Sequence, residues 1–233
     1  MIHMEIETTR QFRPVTDTVL GLGATLLMGA IDADTFLKHG EVLVSAQTGN
    51  LIVGVVKLVT SGWQAAWVNG FVWVGYFLGC FVAQGLSEHV GEHNHRRQMR
   101  WLMLIDVVAY AALAGLQRSL PEQWLLFFLG IMAGFELTTF RQVGGIAINN
   151  GIMTGNTKNM ATSAYQALID GNRAARNRFF RFILVLVTFL LGCAVGVRLA
   201  NLAALDVLWI ASGFKLALLC WLFVPMAMEK PRT

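Results

Sequence analysis

Long apolar stretches alternate with short polar breaks along almost the whole chain. Two such stretches, from Val68 to Leu86 and from Phe182 to Leu199, are almost free of charged residues. A helix needs about 20 apolar residues to cross a hydrocarbon core of about 30 Å. The pattern therefore predicts an all-α integral membrane protein.

Eight apolar segments can be marked, and we expect each to form a helix. They cover residues 17–37, 47–61, 65–87, 101–118, 123–141, 153–169, 179–200 and 205–227. The second and sixth are short, so whether they cross the membrane fully is left open. The strongest polar break, Glu88 to Arg100, follows the third segment.

The triplet Thr-Gly-Asn occurs twice, and each copy opens the short segment of its half of the chain. Matching glycine-containing triplets precede and follow both copies: Gly29-Ala30-Ile31 and Leu78-Gly79-Cys80 in the first half, Gly134-Phe135-Glu136 and Leu191-Gly192-Cys193 in the second. We therefore predict a single membrane domain over 1–233 with two internal repeats, about 17–118 and 123–227. Residues 1–16 form a polar N-terminal segment that we place in the cytoplasm.

The distribution of basic residues favours a topology in which the second and sixth segments enter the membrane and return on the same side. The outer surface then holds Lys38, Arg118 and Arg198. The inner surface holds Arg10, Arg13, Arg96, Arg97, Arg100, Arg141, Arg173, Arg176, Arg178, Arg181, Lys230 and Arg232. Basic residues concentrate on the cytoplasmic side of membrane proteins. We therefore predict about six spans plus two broken or re-entrant helices, as inverted-topology repeats with both termini in the cytoplasm.

The two triplets are the first candidate site. Threonine can cap a helix start, glycine permits sharp backbone geometry, and asparagine offers a donor and an acceptor. Repeated breaks at membrane depth are typical of transporter binding sites, although they can also serve only to turn the chain. The candidate residues are Thr48, Gly49, Asn50, Thr154, Gly155 and Asn156, extended by Gln47 before the first triplet and Lys158 after the second.

Charged residues inside apolar segments form the second candidate set. A charge at the bilayer centre costs at least about 2.5–3.5 kcal/mol, so it usually faces a partner or a wet cavity. Asp32 and Asp34 in the first half and Glu136 in the second fall at matching places, which favours cation, proton or amine binding. Lys215 is expected either to form a structural ion pair with Asp106 or Glu136 or to act directly.

The composition argues against several other functional classes. The net charge of +4 comes from basic residues beside apolar segments, which indicates anionic lipid rather than nucleic acid as the partner. The three cysteines lack the paired spacing of a disulfide framework or a zinc site, and we expect no metal, no cofactor and no enzymatic activity. We also consider a homo-oligomer among the partners.

These residues also resemble a known family. Gly29-Ala30-Ile31-Asp32-Ala33 with Gln47-Thr48-Gly49-Asn50 is similar to the first-half signature of the bacterial YoaK family. The second half resembles it through Gly134-Phe135-Glu136, Arg141, Gly144-Gly145 and Thr154-Gly155-Asn156, although Glu136 stands where the family usually has glutamine. The resemblance covers about residues 17–225 and implies a small-molecule transporter of the inner membrane with about six spans.

The function predicted from the sequence is transport of a small polar solute or ion, with the site at the repeat interface around the two triplets. A passive channel is the closest alternative. A membrane scaffold or partner-binding subunit belongs to a different class, and it would pack the polar sixth segment against protein without water.

Overall fold

The computed structural model describes residues 14–90, 94–202 and 206–224. Within these residues the chain forms eight α-helices and one short β-hairpin. The elements are α1 (Pro14–Lys38), α2 (Gln47–Ser61), α3 (Trp63–His89), α4 (His95–Leu116), α5 (Glu122–Thr139), β1 (Gln142–Val143), β2 (Ile146–Ala147), α6 (Met153–Leu168), α7 (Arg173–Ala200) and α8 (Val207–Trp221). The all-α prediction is confirmed, and every marked segment contains one helix.

Helices α4 and α7 each begin six residues earlier than their apolar segments predict, and polar side chains cap both. Asn94 precedes α4, and its Oδ1 accepts hydrogen bonds from the backbone N–H groups of Arg96 and Arg97. Asn172 precedes α7 and accepts from the N–H of Ala175. Asparagine at this position satisfies N–H groups that have no partner within the helix. Hydropathy cannot detect these polar first turns.

Four helices, α1, α3, α4 and α7, are long and apolar enough to cross a membrane, and α8 is a shorter apolar helix. Much of the surface of α3 and α7 is apolar and exposed in the isolated chain, including Phe77, Phe81 and Leu191. An exposed apolar surface on this scale requires lipid or protein around it. The chain is therefore a membrane protein.

The helices pair across the two halves of the chain. The most extensive packing joins α3 to α5 and α1 to α7, while α2 packs on α3, α6 on α7, and α4 on α8. The first helix of each half thus lies against the third helix of the other half. The centre of the bundle is filled mainly by apolar side chains of α1, α4, α5 and α8, among them Met28, Leu113 and Leu129.

Glycines allow these paired helices to approach until their backbones touch. A methyl group at Gly79 of α3 would overlap the carbonyl oxygen of Ile131 in α5, and one at Gly192 of α7 would overlap that of Leu26 in α1. Small residues at helix interfaces are the usual basis of close packing in lipid, where hydrophobicity gives no driving force between helices. The same contact therefore recurs in both cross-half pairs.

The β-hairpin follows α5 and has no counterpart in the first half within the described residues. Gln142 pairs with Ala147 and Val143 with Ile146. Gly144 and Gly145 form the two-residue turn with positive φ angles of 59° and 85°, as tight hairpin turns require. The N–H of Gly144 donates to Thr18 Oγ1 at 2.7 Å, which holds the hairpin against α1.

Replacing either interface glycine by alanine will destabilise the bundle. Gly79→Ala and Gly192→Ala each force two backbones apart, and overpacking of this kind costs about 1–3 kcal/mol. Gly85→Ala is the matched control, because a methyl group there meets no atom within 4 Å on the same helix α3. Thermal unfolding of the purified protein should show a loss for the first two variants and none for the third. Equal stability of all three would mean that these contacts do not hold the bundle together.

Candidate functional site

The segments that precede α2 and α6 meet inside the bundle. Ser45 lies two residues before α2, and its Oγ is 3.2 Å from the carbonyl oxygen of Gly151, two residues before α6. Both residues are buried. Gly151 packs so closely against Ser45 and Met28 that a Cβ atom would not fit. These two non-helical segments, which we call the two breaks, are more than a hundred residues apart in sequence. The place where they meet is called the junction below.

Asp32 organises the first side of this junction. Its side chain is buried in α1, and Oδ1 accepts a hydrogen bond from the N–H of Ser45 at 3.0 Å. The Ser45 hydroxyl also lies within hydrogen-bonding distance of Asp32 Oδ2. A hydroxyl has one proton, so it can donate to either Asp32 or Gly151 but not to both at once. A carboxyl group and a hydroxyl with alternative partners thus stand where the two breaks meet.

Asn150 organises the second side. Its Nδ2 donates to the carbonyl oxygen of Phe140 at 2.7 Å and lies 3.5 Å from that of Glu136. Its Oδ1 lies 3.5 Å from Thr25 Oγ1 of α1. One side chain therefore connects the end of α5, the second break and α1.

The asparagine side chain of each triplet forms two hydrogen bonds with the backbone of the residue seven positions earlier. We call this pair of bonds a clasp. Asn50 Oδ1 accepts from the N–H of Leu43 at 3.2 Å, and its Nδ2 donates to the carbonyl oxygen of the same residue at 2.5 Å. Asn156 makes the same pair of bonds with Asn149, at 3.1 and 2.8 Å. Both side chains are buried. The two asparagines thus have one and the same structural role, which is to hold the non-helical segment before each short helix.

The other residues of the triplets have different environments. The side chains of Thr48 and Thr154 are exposed, and Gly49 and Gly155 are half-buried. Neither short helix has a side-chain cap, since Ala46 and Ile152 occupy the capping positions. The suggestion that threonine caps these helices is therefore wrong, because the threonines lie one residue inside each helix.

Of the residues that flank the triplets, one joins a clasp and one lies on the surface. Gln47 is buried, donates from Nε2 to the carbonyl oxygen of Val44 at 2.7 Å, and accepts from Asn50 Nδ2 at 3.1 Å. Lys158 is exposed on the outer face of α6. That face also exposes Thr157, Thr162 and Tyr165. Gln47, a candidate site residue, thus bonds to the first break, whereas Lys158 lies on the exposed face of α6.

Asp34 does not join the junction. Its Oδ1 lies 2.6 Å from Lys38 Nζ, one turn later on α1. This pair sits near the end of the helix, where Lys38 is partly exposed. The structure thus separates Asp34 from Asp32, although the two are neighbours in sequence.

A second set of polar residues lies in the interior of the bundle, where Lys215 contacts two carboxylates. Its Nζ is 2.5 Å from Asp106 Oδ2 of α4 and 2.9 Å from Glu136 Oε1 of α5. The Tyr110 hydroxyl donates to the same Glu136 oxygen at 2.6 Å, and Lys215 Nζ lies 4.6 Å from the centre of the Tyr110 ring. We call these four residues the charge cluster. All four side chains are at most 1% exposed.

The charge cluster confirms the expected ion pair and enlarges it. Lys215 pairs with both candidate partners rather than with one of them. Tyr110 and Ser45 were not recognised from the sequence. Tyr110 lies one helical turn after Asp106, so a polar pair at this spacing inside an apolar helix was a usable signal. Ser45 carries no such signal, because an isolated serine before a helix is common.

A small cavity of about 30 Å³ lies at the end of the bundle where α1 and α4 begin. Its lining includes Asp17, His95, Thr139, Phe140 and Arg141. His95 Nε2 and Asp17 Oδ1 are 2.6 Å apart, and Phe140 carries the carbonyl oxygen that Asn150 binds. The space is enough for one or two water molecules. The cavity at this end of the bundle therefore has a mixed polar and apolar lining.

The histidines of the described residues bond to backbone or to a carboxylate. Within the described part of the chain, no group of three or more His, Cys, Asp or Glu side chains is arranged to hold a metal ion. His89 bonds instead to the backbone oxygen of Gly85, and His95 to Asp17.

These features define a helical membrane protein in which two interrupted helices meet beside a buried charge cluster. A model of the family described as "Protein of unknown function (DUF1275)" matches residues 20–221, and the chain belongs to this family. The match covers all eight helices in whole or in part. The chain matches no curated protein and no solved structure.

Removing either clasp will destabilise the protein. Asn50→Ala and Asn156→Ala each leave a backbone N–H and a carbonyl without their partner, and an unsatisfied buried group costs about 1–3 kcal/mol. Thr48→Ala and Thr154→Ala are matched controls from the same triplets, since their side chains are exposed. Apparent melting temperatures should fall for both asparagine variants and stay close to the starting value for both threonine variants. The clasp would have no structural importance if the four variants melted together.

Proposed function

We propose that this protein is a transporter that moves a small polar solute or an ion across a bacterial inner membrane. The observation that carries the proposal is the contact of the two breaks at Ser45 and Gly151. Irregular backbone at membrane depth is tolerated where protein buries it or where it lines a cavity. Interrupted helices that begin near the midplane are the usual binding elements of secondary transporters.

The directions of the helices support six spans. Gly192 and Gly196 of α7 contact Leu26 and Ala30 of α1 in the same order, so α1 and α7 run parallel. By the same reasoning α3 and α5 run parallel, since their contacts also advance together. His39 of the turn after α1 pairs with Glu122 at the start of α5, so these two helices run in opposite directions.

The directions of α4 and α8 fit this arrangement. His95 at the start of α4 pairs with Asp17 near the start of α1, so α4 runs with α1. Arg100 near the start of α4 donates to the carbonyl oxygen of Leu222, just after α8, so α8 runs against α4. With α1 directed outward, α4 and α7 also run outward, whereas α3, α5 and α8 run inward.

In this topology the two short helices are re-entrant. Both α1 and the following long helix α3 have their adjoining ends on the outer side, so α2 must begin and end its excursion there. The same reasoning places the excursion of α6 on the inner side, between α5 and α7. The repeats would then be inverted, as the distribution of basic residues predicts. Both termini would lie in the cytoplasm.

The chemistry of the junction suits a small polar solute. Two helix N-termini without side-chain caps converge there, each with a partial positive charge, and the buried carboxyl group of Asp32 lies beside them. This combination can bind both ends of a zwitterion, or a neutral solute with donors and acceptors. Thr48, Gly49, Thr154 and Gly155 lie in the first turns of the two helices and are the proposed contacts.

The remaining predicted site residues take indirect roles in this proposal. Asn50, Asn156 and Gln47 hold the breaks in place, and Glu136 belongs to the charge cluster. Asp34 and Lys158 lie away from the junction, and we propose them for the two ends of the transport path. The proposed activity is transport without catalysis, and it requires no cofactor.

A homo-oligomer is favoured by one observation. The outer face of α6 exposes Thr157, Lys158, Thr162 and Tyr165, which is too polar for hydrocarbon. Threonine-rich faces are typical of helix–helix contacts in membranes. A second copy packed on α6 would cover this face, and a scaffold function would use the same surface for another protein.

Water access to the junction tests the proposal. In a variant with Cys80, Cys193 and Cys220 replaced by serine, Ser45→Cys should react with a charged, water-soluble thiol reagent in native membranes, because a transport path must open to water. Val55→Cys is the matched control, since it is 60% exposed in the isolated chain but lies on the apolar face of α2, where lipid would cover it. Labelling of position 45 should be at least about tenfold faster than that of position 55, a difference of about 1.4 kcal/mol in effective barrier.

Unreactive Ser45→Cys in a folded protein would contradict the transport path and favour the scaffold. If position 45 reacts, counterflow in vesicles separates the two remaining possibilities. A carrier exchanges internal for external solute faster than it accumulates it, whereas a passive channel shows no counterflow.

A further inference from the structure

We infer that the charge cluster binds one exchangeable proton, held jointly by Asp106 and Glu136. Its use as the coupling proton of transport rests on the proposed function, but the binding itself does not. The inference depends on four observations: the number of charges, their burial, the distribution of hydrogen bonds, and the connection to the junction.

The charges of the cluster do not balance when all groups are ionised. Lys215 contributes one positive charge, and Asp106 and Glu136 contribute one negative charge each, which leaves one negative charge in excess. Within the described residues, Lys215 is the one cation at ion-pair distance from either carboxylate. A buried charge without a partner is costly enough that the group usually becomes neutral instead. Binding one proton makes the cluster neutral.

The neighbouring titratable groups do not neutralise the excess negative charge of the cluster. Tyr110 of α4 is uncharged and already donates its proton to Glu136. Asp32 of α1 is another buried carboxyl group, and its partners are the N–H and hydroxyl of Ser45, which carry no charge. No positive charge from these neighbours compensates the excess in the cluster.

The hydrogen bonds show where the proton would sit. Glu136 Oε1 accepts from both Tyr110 and Lys215, and Asp106 Oδ2 accepts from Lys215. The other oxygens, Asp106 Oδ1 and Glu136 Oε2, are buried and have no hydrogen-bond partner among the described residues. A proton from water would form an O–H bond at one of these two oxygens, and release to water would break that same bond.

The cluster is connected to the junction through α5. Glu136 provides a cluster carboxylate from its side chain, while its backbone oxygen lies 3.5 Å from Asn150 Nδ2 in the second break. Loss of the proton would make Lys215 the single counter-ion of two carboxylates. A change in the position of Glu136 would then act directly on Asn150, which also bonds to Phe140. Glu136 is therefore the one described residue that belongs to the cluster through its side chain and contacts the second break through its backbone.

Infrared spectroscopy of the purified full chain in lipid nanodiscs tests the inference, because a protonated carboxyl group has its own C=O stretching band. At pH 7 the wild type should show this band. Asp106→Asn and Glu136→Gln should each lose an intensity equal to one carboxyl group, since either change makes the cluster neutral without a proton. Lys215→Met should gain about one carboxyl group, because two carboxylates then lack a counter-ion.

Glu122→Gln is the control. Its carboxylate is exposed and paired with His39 at 2.9 Å, so its replacement should leave the band unchanged. Size-exclusion profiles establish that each variant is folded. If the asparagine variant does not fold, raising the pH of the wild type should still remove the C=O band and produce an equivalent carboxylate band, because the cluster then releases its proton.

Three results would overturn the inference. One is a spectrum that is the same in wild type, Asp106→Asn and Glu136→Gln. Another is loss of the band in only one of these two variants, which would assign the proton to one residue rather than to the charge balance. The third is a band that appears only when sodium is replaced by choline, which would assign the place to a metal cation. The expected spectra combined with unreactive Ser45→Cys would leave the proton site intact and contradict the transport path.

Discussion

A buried segment that leaves the helical conformation must satisfy its backbone polar groups from within the protein, and the rest of this structure depends on how that is done. Asn50 and Asn156 solve the problem in the same way, each bonding the N–H and the carbonyl of the residue seven positions earlier. The clasps fix the ends of two non-helical segments. Ser45 and Gly151 can meet because these segments are held in place.

Close packing of the surrounding helices adds the second condition. Glycines bring α1 against α7 and α3 against α5 until backbone atoms touch, so little space remains in the centre. Polar groups enclosed there have to pair with one another. Asp32 pairs with Ser45, and Lys215 pairs with Asp106 and Glu136. The charges of the interior are therefore paired between helices, with Lys215 of α8 joined to Asp106 of α4 and Glu136 of α5.

The helices could be predicted from the sequence, since hydropathy acts over long stretches. The recurrence of Gly79 and Gly192 marked matching positions in the two halves, and the structure places both at close helix contacts. Single side chains with several possible partners were harder. Asparagine was assigned a ligand role in the triplets, but its bonds are to backbone, and Thr48 was expected to cap a helix that it enters instead. Which partner an amide finds depends on how a loop folds back, and periodicity has no information about that.

Pairing of the helices across the two halves has a consequence for how the molecule is divided mechanically. Since α1 and α6 both pack on α7, and α2 and α5 both pack on α3, each of these two groups of helices combines elements from both halves of the chain. The closely packed units of the bundle are therefore these two mixed groups, not the amino-terminal and carboxy-terminal portions. A polypeptide cut at the α4–α5 turn would yield two fragments with open glycine faces, each requiring the other to complete its packing.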